Sequence, residues 1–137
     1  MNYINQPIII FSVFQSHLSH GENLNNHKHT LVQLSRDNIG HKVVKGVYNG
    51  DSELSIIVDQ KHVDHILRLA KTYNQESILF SDQSRNSELV YIKTGKREPL
   101  GILTNVKQDY AIAQGSYTFD SLTGQYWVTI PKIDVTI

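Results

Sequence analysis

Apolar residues recur along this chain in two rhythms, one of period two and one of three to four. Ile8–Phe14, behind Pro7, is rich in β-branched and aromatic residues and reads as a strand. Gln15–Asn26 is polar, contains His20-Gly21, and reads as a loop. His27–Arg36 reads as a helix capped by Asn25 or Asn26, with Leu31 and Leu34 facing inward. Lys42–Tyr48 is a second strand, and Asn49-Gly50 signals a hairpin. Glu53–Val58 then alternates, with Leu54, Ile56 and Val58 on one face. Asp59 can cap a helix over Lys61–Asn74, where Val63, Ile66, Leu67, Ala70 and Tyr73 mark one face. Ser77–Phe80 follows almost at once as a short, largely apolar strand.

That order, β-α-β-β-α-β, predicts an α+β fold of ferredoxin-like type: an antiparallel four-stranded sheet with two helices on one face. Glu88–Lys93, Gly115–Phe119 and Gln125–Ile130 are expected to extend the sheet as extra C-terminal strands. An irregular stretch runs through Pro99, and Leu122-Thr123-Gly124 makes a turn. Two helices cover only one sheet face. The other must be polar or meet another subunit, and the apolar Val47, Ile57, Ile78 and Tyr91 favour association.

Composition narrows the class. At 137 residues the chain is expected to form one domain over 1–137. Its 39% hydrophobic and 19% charged residues are those of a soluble globular protein. Thirteen basic residues balance thirteen acidic ones, which argues against a nucleic-acid or anionic-membrane binder. With no cysteine there are no disulfides, thiolate nucleophiles or cysteine-based metal sites. No apolar run approaches a membrane span, and Met1–Pro7 lacks the features of a secretory signal. A cytoplasmic location is the expectation.

Glu76 sits at the joint between the second helix and the strand that follows. A carboxylate at the end of a sheet is open to a ligand, and desolvation there alters its chemistry. The plainer alternative is a solvated loop residue. No Gly-rich phosphate loop, H-E-x-x-H or G-x-S-x-G motif occurs. His27-Lys28-His29 would share a metal on a strand, but on a helix the rings point about 200° apart. His62 and His65 can meet on one helical face, without a further ligand nearby in sequence. No metal is expected. Ser12 and Ser16 flank the end of the first strand, but their spacing gives a covalent triad no support. Tyr48 closes the second strand, where an ordinary sheet aromatic is the plainer reading.

Several blocks taken together resemble the S-adenosylmethionine-degrading enzymes of T7-like coliphages, long called hydrolases and later understood as lyases. Ser12-Val13-Phe14-Gln15-Ser16-His17-Leu18, then Asn23, then His27-Lys28-His29, is similar to that family's S-x-F-x-S-x-L…N…H-[KR]-H pattern. Gly46-Val47-Tyr48 matches a G-x-Y element, and Ala70–Leu79 resembles the helix-to-strand junction with Gln75 followed by an acid. Leu89-Val90-Tyr91, Gln114–Thr118 and Trp127 match later parts, so the likeness runs from Ser12 to Val128. The hairpin around Asn49–Ser52 looks shorter here, and the acid after Gln75 is glutamate rather than aspartate.

The resemblance implies a ferredoxin-like subunit similar to the PII signalling proteins, assembled as a homotrimer with active sites between subunits. It implies S-adenosylmethionine as substrate and 5′-methylthioadenosine and homoserine lactone as products, with no cofactor. The role implied is depletion of the methyl donor in the host cytoplasm, as phage counter-defence. The substrate's own carboxylate would attack its γ-carbon, and the enzyme need only fold it into the ring-closing shape. On this reading Glu76 is the first choice of site carboxylate, near the ammonium or sulfonium. Tyr48 is the second, as a hydrogen-bond donor or a ring beside the cation. Ser12, Ser16 and Gln75 are candidates for the carboxylate, ribose or adenine. The alternatives are hydrolysis with Glu76 as general base, a non-catalytic PII-like sensor of an adenine ligand, and a phage protein that blocks a host factor by contact.

Overall fold

The computed structural model describes residues 6–132, so most of the N-terminal segment read for a secretory signal lies outside it. Eight strands and three α-helices form among these residues. Strand β1 (Ile8–Phe11) leads into helix α1 (His20–Arg36), then β2 (His41–Tyr48) and β3 (Asp51–Asp59). A short 3-10 turn, Gln60–His62, precedes α2 (Val63–Thr72) and β4 (Ser77–Ser81). The rest is β5 (Asn86–Tyr91), β6 (Arg97–Val106), α3 (Gln108–Gln114), β7 (Tyr117–Asp120) and β8 (Gln125–Ile130).

The fold is not the expected ferredoxin-like open sheet with two helices on one face. All eight strands pair antiparallel into a closed barrel of order β1-β3-β2-β7-β8-β6-β5-β4. β4, β1, β3 and β2 do lie side by side, but β5 pairs with β4 and β7 with β2, so neither flank stays open. The ring closes through β6–β8 and β7–β8.

Alternation along β1 shows why closure is favoured. Ile9, Phe11 and Val13 pack outward with Leu34 of α1 and Ile66, Leu69 and Ala70 of α2. Ile8 and Ile10 point the other way, into the barrel, with Val44, Ile57, Leu103 and Trp127. The second face is therefore apolar, and the C-terminal strands cover it from within the same chain. Burial of side chains of this size stabilises by about 1.5–3 kcal/mol each. Val47, Ile57 and Ile78, read as favouring association, are instead buried within the single chain.

Four local readings are also corrected. The first strand ends at Phe11, and the segment read as a loop through Asn26 is half helix, because α1 starts at His20. Its cap is Ser19, which accepts from the Glu22 N–H while the Glu22 side chain accepts from Ser19. This reciprocal capping box was readable as Ser19-x-x-Glu22. The stretch through Pro99, read as irregular, belongs to a ten-residue strand. Gly101 lets it run close to β8: its φ is +107°, and a Cβ there would lie 2.0 Å from the Ile130 carbonyl oxygen.

Candidate active site

The inward-facing register of the barrel runs out to one rim, where β1, β2 and β5 end and β3, β4 and β6 begin. Asn49 and Gly50, both at positive φ, turn β2 into β3 and set Tyr48 opposite Asp51 and Gly46 opposite Glu53. Gly46 has no room for a side chain. A Cβ there would stand 2.7 Å from Ser55 Oγ and 3.7 Å from Glu53 Cγ. The glycine of the G-x-Y element thus leaves space for the Ser55 hydroxyl, with Glu53 Cγ at ordinary contact distance.

Glu53 is half-buried. Burial raises its carboxyl above the ordinary carboxylate range, and the neighbouring Ser12 hydroxyl pulls the other way. That hydroxyl has one proton, which it donates either to Glu53 or to the Leu54 carbonyl oxygen 2.8 Å away. Ser12 Oγ also accepts from the Phe14 N–H at 3.1 Å.

Across the rim, the Tyr91 hydroxyl donates to Glu98 Oε2 at 2.5 Å. This bond, followed by partial desolvation and the charges of Glu98 and Glu76 and the nearby Tyr48, pushes the Tyr91 phenol up. Two carboxylates, Glu98 and Glu76, and a second phenol, Tyr48, from three further parts of the chain therefore lie near enough to act on Tyr91. Glu76 is exposed in the joint before β4, with its carbonyl accepting from the Ile92 N–H at 2.9 Å. Tyr48 is 66% exposed. An acidic, aromatic rim of this kind can hold a cation by charge and by ring faces.

The residues singled out in sequence fall as follows. Tyr48 and Glu76 come together around Tyr91. Ser12 is buried on the inward side beside Glu53, whereas Ser16 is exposed in the following turn. Gln75 is half-buried, and its side-chain nitrogen donates to the Phe14 carbonyl oxygen at 2.7 Å. His27 is buried against the Phe14 ring while His29 is exposed, and among the described residues no cluster of three or more His, Asp or Glu could hold a metal. Glu53 and Glu98 do not stand out in the sequence, and Tyr91 enters it only as a residue favouring association and within the Leu89-Val90-Tyr91 block. A signal for Glu53 existed, since counting back from Asn49-Gly50 places it opposite Gly46. Nothing in the sequence shows Tyr91 and Glu98 as neighbours, because only the β5–β6 pairing joins them.

A cleft of about 730 Å³ lies elsewhere, at the other ends of β4 and β5, lined by Phe80, Asp82, Asn86 and Pro99 among others. It contains none of the rim residues. The cleft holds Asp82, Glu88 and Lys132 beside Phe80; the rim is the candidate site because Glu53 and Tyr91, the groups whose ionisation their surroundings shift, lie there.

The family model described as the S-Adenosylmethionine lyase family matches residues 9–130. The chain belongs to the S-adenosylmethionine lyase family. The match spans β1 through β8 and so takes in every rim residue just described. No curated protein sequence matches the chain. Membership makes the chain an S-adenosylmethionine-degrading lyase, and its substrate carries both a sulfonium and an ammonium. Among the described residues no helix is long and apolar enough to cross a membrane.

Proposed function

We propose that the chain converts S-adenosylmethionine to 5′-methylthioadenosine and homoserine lactone at the Tyr48–Glu76–Tyr91–Glu98 rim. The observation that carries this reading is the Tyr91–Glu98 hydrogen bond with Glu76 and Tyr48 near enough to act on the same phenol, and Glu53 on the same rim. The reaction needs little from the protein. A carboxylate oxygen of the substrate forms a bond to its own γ-carbon as the bond from that carbon to sulfur breaks. The electron pair stays on sulfur, which leaves as a neutral thioether, and no proton is transferred. Charge is neutralised in the transition state, so a drier setting accelerates it, and holding the chain bent removes most of the entropic barrier.

In this scheme Glu76 holds the substrate's ammonium or lies beside the sulfonium, and the Tyr48 and Tyr91 rings face the cation. Tyr91 stays a neutral donor because Glu98 and its neighbours disfavour its ionisation. Ser16, exposed in the loop after β1, offers a hydroxyl to the ribose or carboxylate. The exposure of Tyr48 and Glu76 leaves the rim open on one side, which supports a homotrimer in which a neighbouring subunit completes each site. Depletion of the methyl donor in a host cytoplasm, as counter-defence, follows from the resemblance and this reaction.

Glu76→Gln is expected to lower turnover at least about a hundredfold while leaving the melting temperature close to that of the parent. Near-normal activity would remove Glu76 from the mechanism. Hydrolysis is the second reading, favoured by one observation: the raised Glu53 carboxyl suits a general base. Chromatography with mass spectrometry from the first minutes separates the two. Early lactone supports the internal attack, and homoserine from the outset sinks it.

A further inference from the structure

We propose that Gln75 is a positioning residue for Glu76, acting through the main chain rather than by touching substrate. The inference rests on the reading of Glu76 as the site carboxylate. Gln75 Nε2 donates to the Phe14 carbonyl oxygen at 2.7 Å and, more weakly, to the Tyr73 carbonyl oxygen at 3.4 Å. A primary amide nitrogen carries two hydrogens, so both end on backbone oxygens and neither faces a ligand.

The partner in this bond is itself immobilised. The Phe14 N–H donates to Ser12 Oγ. The next residue, Gln15, donates its N–H to Asn23 Oδ1 at 2.8 Å and accepts from Asn23 Nδ2 at 3.0 Å. Asn74 Nδ2 adds a bond to Gln15 Oε1 at 3.3 Å. These amides stand where sheet pairing stops, because the β1–β4 register ends at Ile10 opposite Leu79. Past that point side-chain amides hold the segment carrying Ser12 against the joint carrying Glu76.

Glu76 is thus fixed from two sides. On one side its carbonyl accepts the Ile92 N–H, a backbone bond that no substitution at Gln75 removes. On the other, Gln75 anchors the preceding residue to Phe14. The Gln75 N–H also donates to the Ala70 carbonyl oxygen at 2.9 Å, so loss of the side-chain anchor leaves the joint held at α2 and at Ile92 but no longer fixed against Phe14. A displacement of about 1 Å in a catalytic group costs roughly a hundredfold in rate.

Gln75→Leu keeps the side chain's bulk and removes its donors. Its kcat/KM is expected to fall about 10- to 100-fold in the parent, and less than about threefold in the Glu76→Gln background. An independent substrate contact, or a general folding fault, would cost the same factor in both backgrounds, and equal costs overturn the proposal. Hydrogen exchange gives a second arm. In Gln75→Leu the amides of residues 14–16 and 75–77 should exchange faster while β2 and β3 stay protected. Unchanged exchange beside lost turnover would make Gln75 a direct substrate contact and overturn positioning. A fully active Glu76→Gln enzyme removes the site reading and the positioning together. A slowed one with additive Gln75 costs removes the positioning alone.

Discussion

Ser12 and Glu53 form the most finely balanced pair on the rim. Burial raises the Glu53 carboxyl, and the Ser12 hydroxyl opposes that rise. If turnover needs ionised Glu53, activity is lost as pH falls through its pKa. Ser12→Ala removes the opposing hydrogen bond, so the acid limb of the kcat/KM profile should move to higher pH. An unmoved limb would show that Glu53 does not govern the reaction. The same variant gives up the bond to the Leu54 carbonyl, at about 1 kcal/mol. His27 works on stability instead. Burial, and then the nearby His41, lower its imidazole pKa below the ordinary 6.5, and its Nδ1 has no hydrogen-bond partner among the described residues. Well above 6.5 neither the folded nor the unfolded chain holds the proton, so His27 contributes no pH dependence there. Below it the unfolded chain takes up a proton that the folded one resists, and stability falls. Melting temperatures of the parent should therefore drop between about pH 7 and pH 5, and those of His27→Gln should drop less.

Elements were legible where local rules decide them. Asn49-Gly50 and the alternation of Leu54, Ile56 and Val58 place the β2–β3 hairpin, because turn chemistry and period-two burial act within a few residues. β6 was not legible. The stretch through Pro99 reads as irregular, yet the register shift at Ser87/Glu88 and the close approach of Gly101 to β8 accommodate it. Only tertiary pairing reveals that Gly101 is required rather than tolerated. Gly101→Ala adds a Cβ against the Ile130 carbonyl oxygen and forces alanine into a left-handed backbone. Its cost should be about 3 kcal/mol or more in denaturant unfolding. A loss under 1 kcal/mol would mean that β6 and β8 separate readily. The site follows the same division. Tyr48 and Glu76 came from resemblance and from the helix-to-strand joint, whereas Tyr91 and Glu98 needed the β5–β6 ladder to be seen as neighbours.

At the scale of the whole molecule, closure removes free strand edges as docking surfaces among the described strands. Assembly of the proposed trimer must then use side-chain surfaces. Exposed apolar residues such as Tyr110, Ile112 and Leu122, together with the open rim at Tyr48, are available for it. If neighbouring subunits complete the sites, specific activity should fall on dilution in step with the loss of trimer mass by light scattering. Activity independent of concentration in a sample shown to be monomeric would locate the whole site within one chain. The ring also carries a consequence for synthesis on the ribosome. β4, β1, β3 and β2 all lie within the chain up to Ser81, so they can pair before the remaining strands emerge. Until β6 and β8 arrive, Ile8, Ile10, Val44 and Ile57 lack the cover of Leu103 and Trp127. The nascent chain therefore passes through an adhesive interval, and a chain stopped before Trp127 should aggregate rather than merely lose activity.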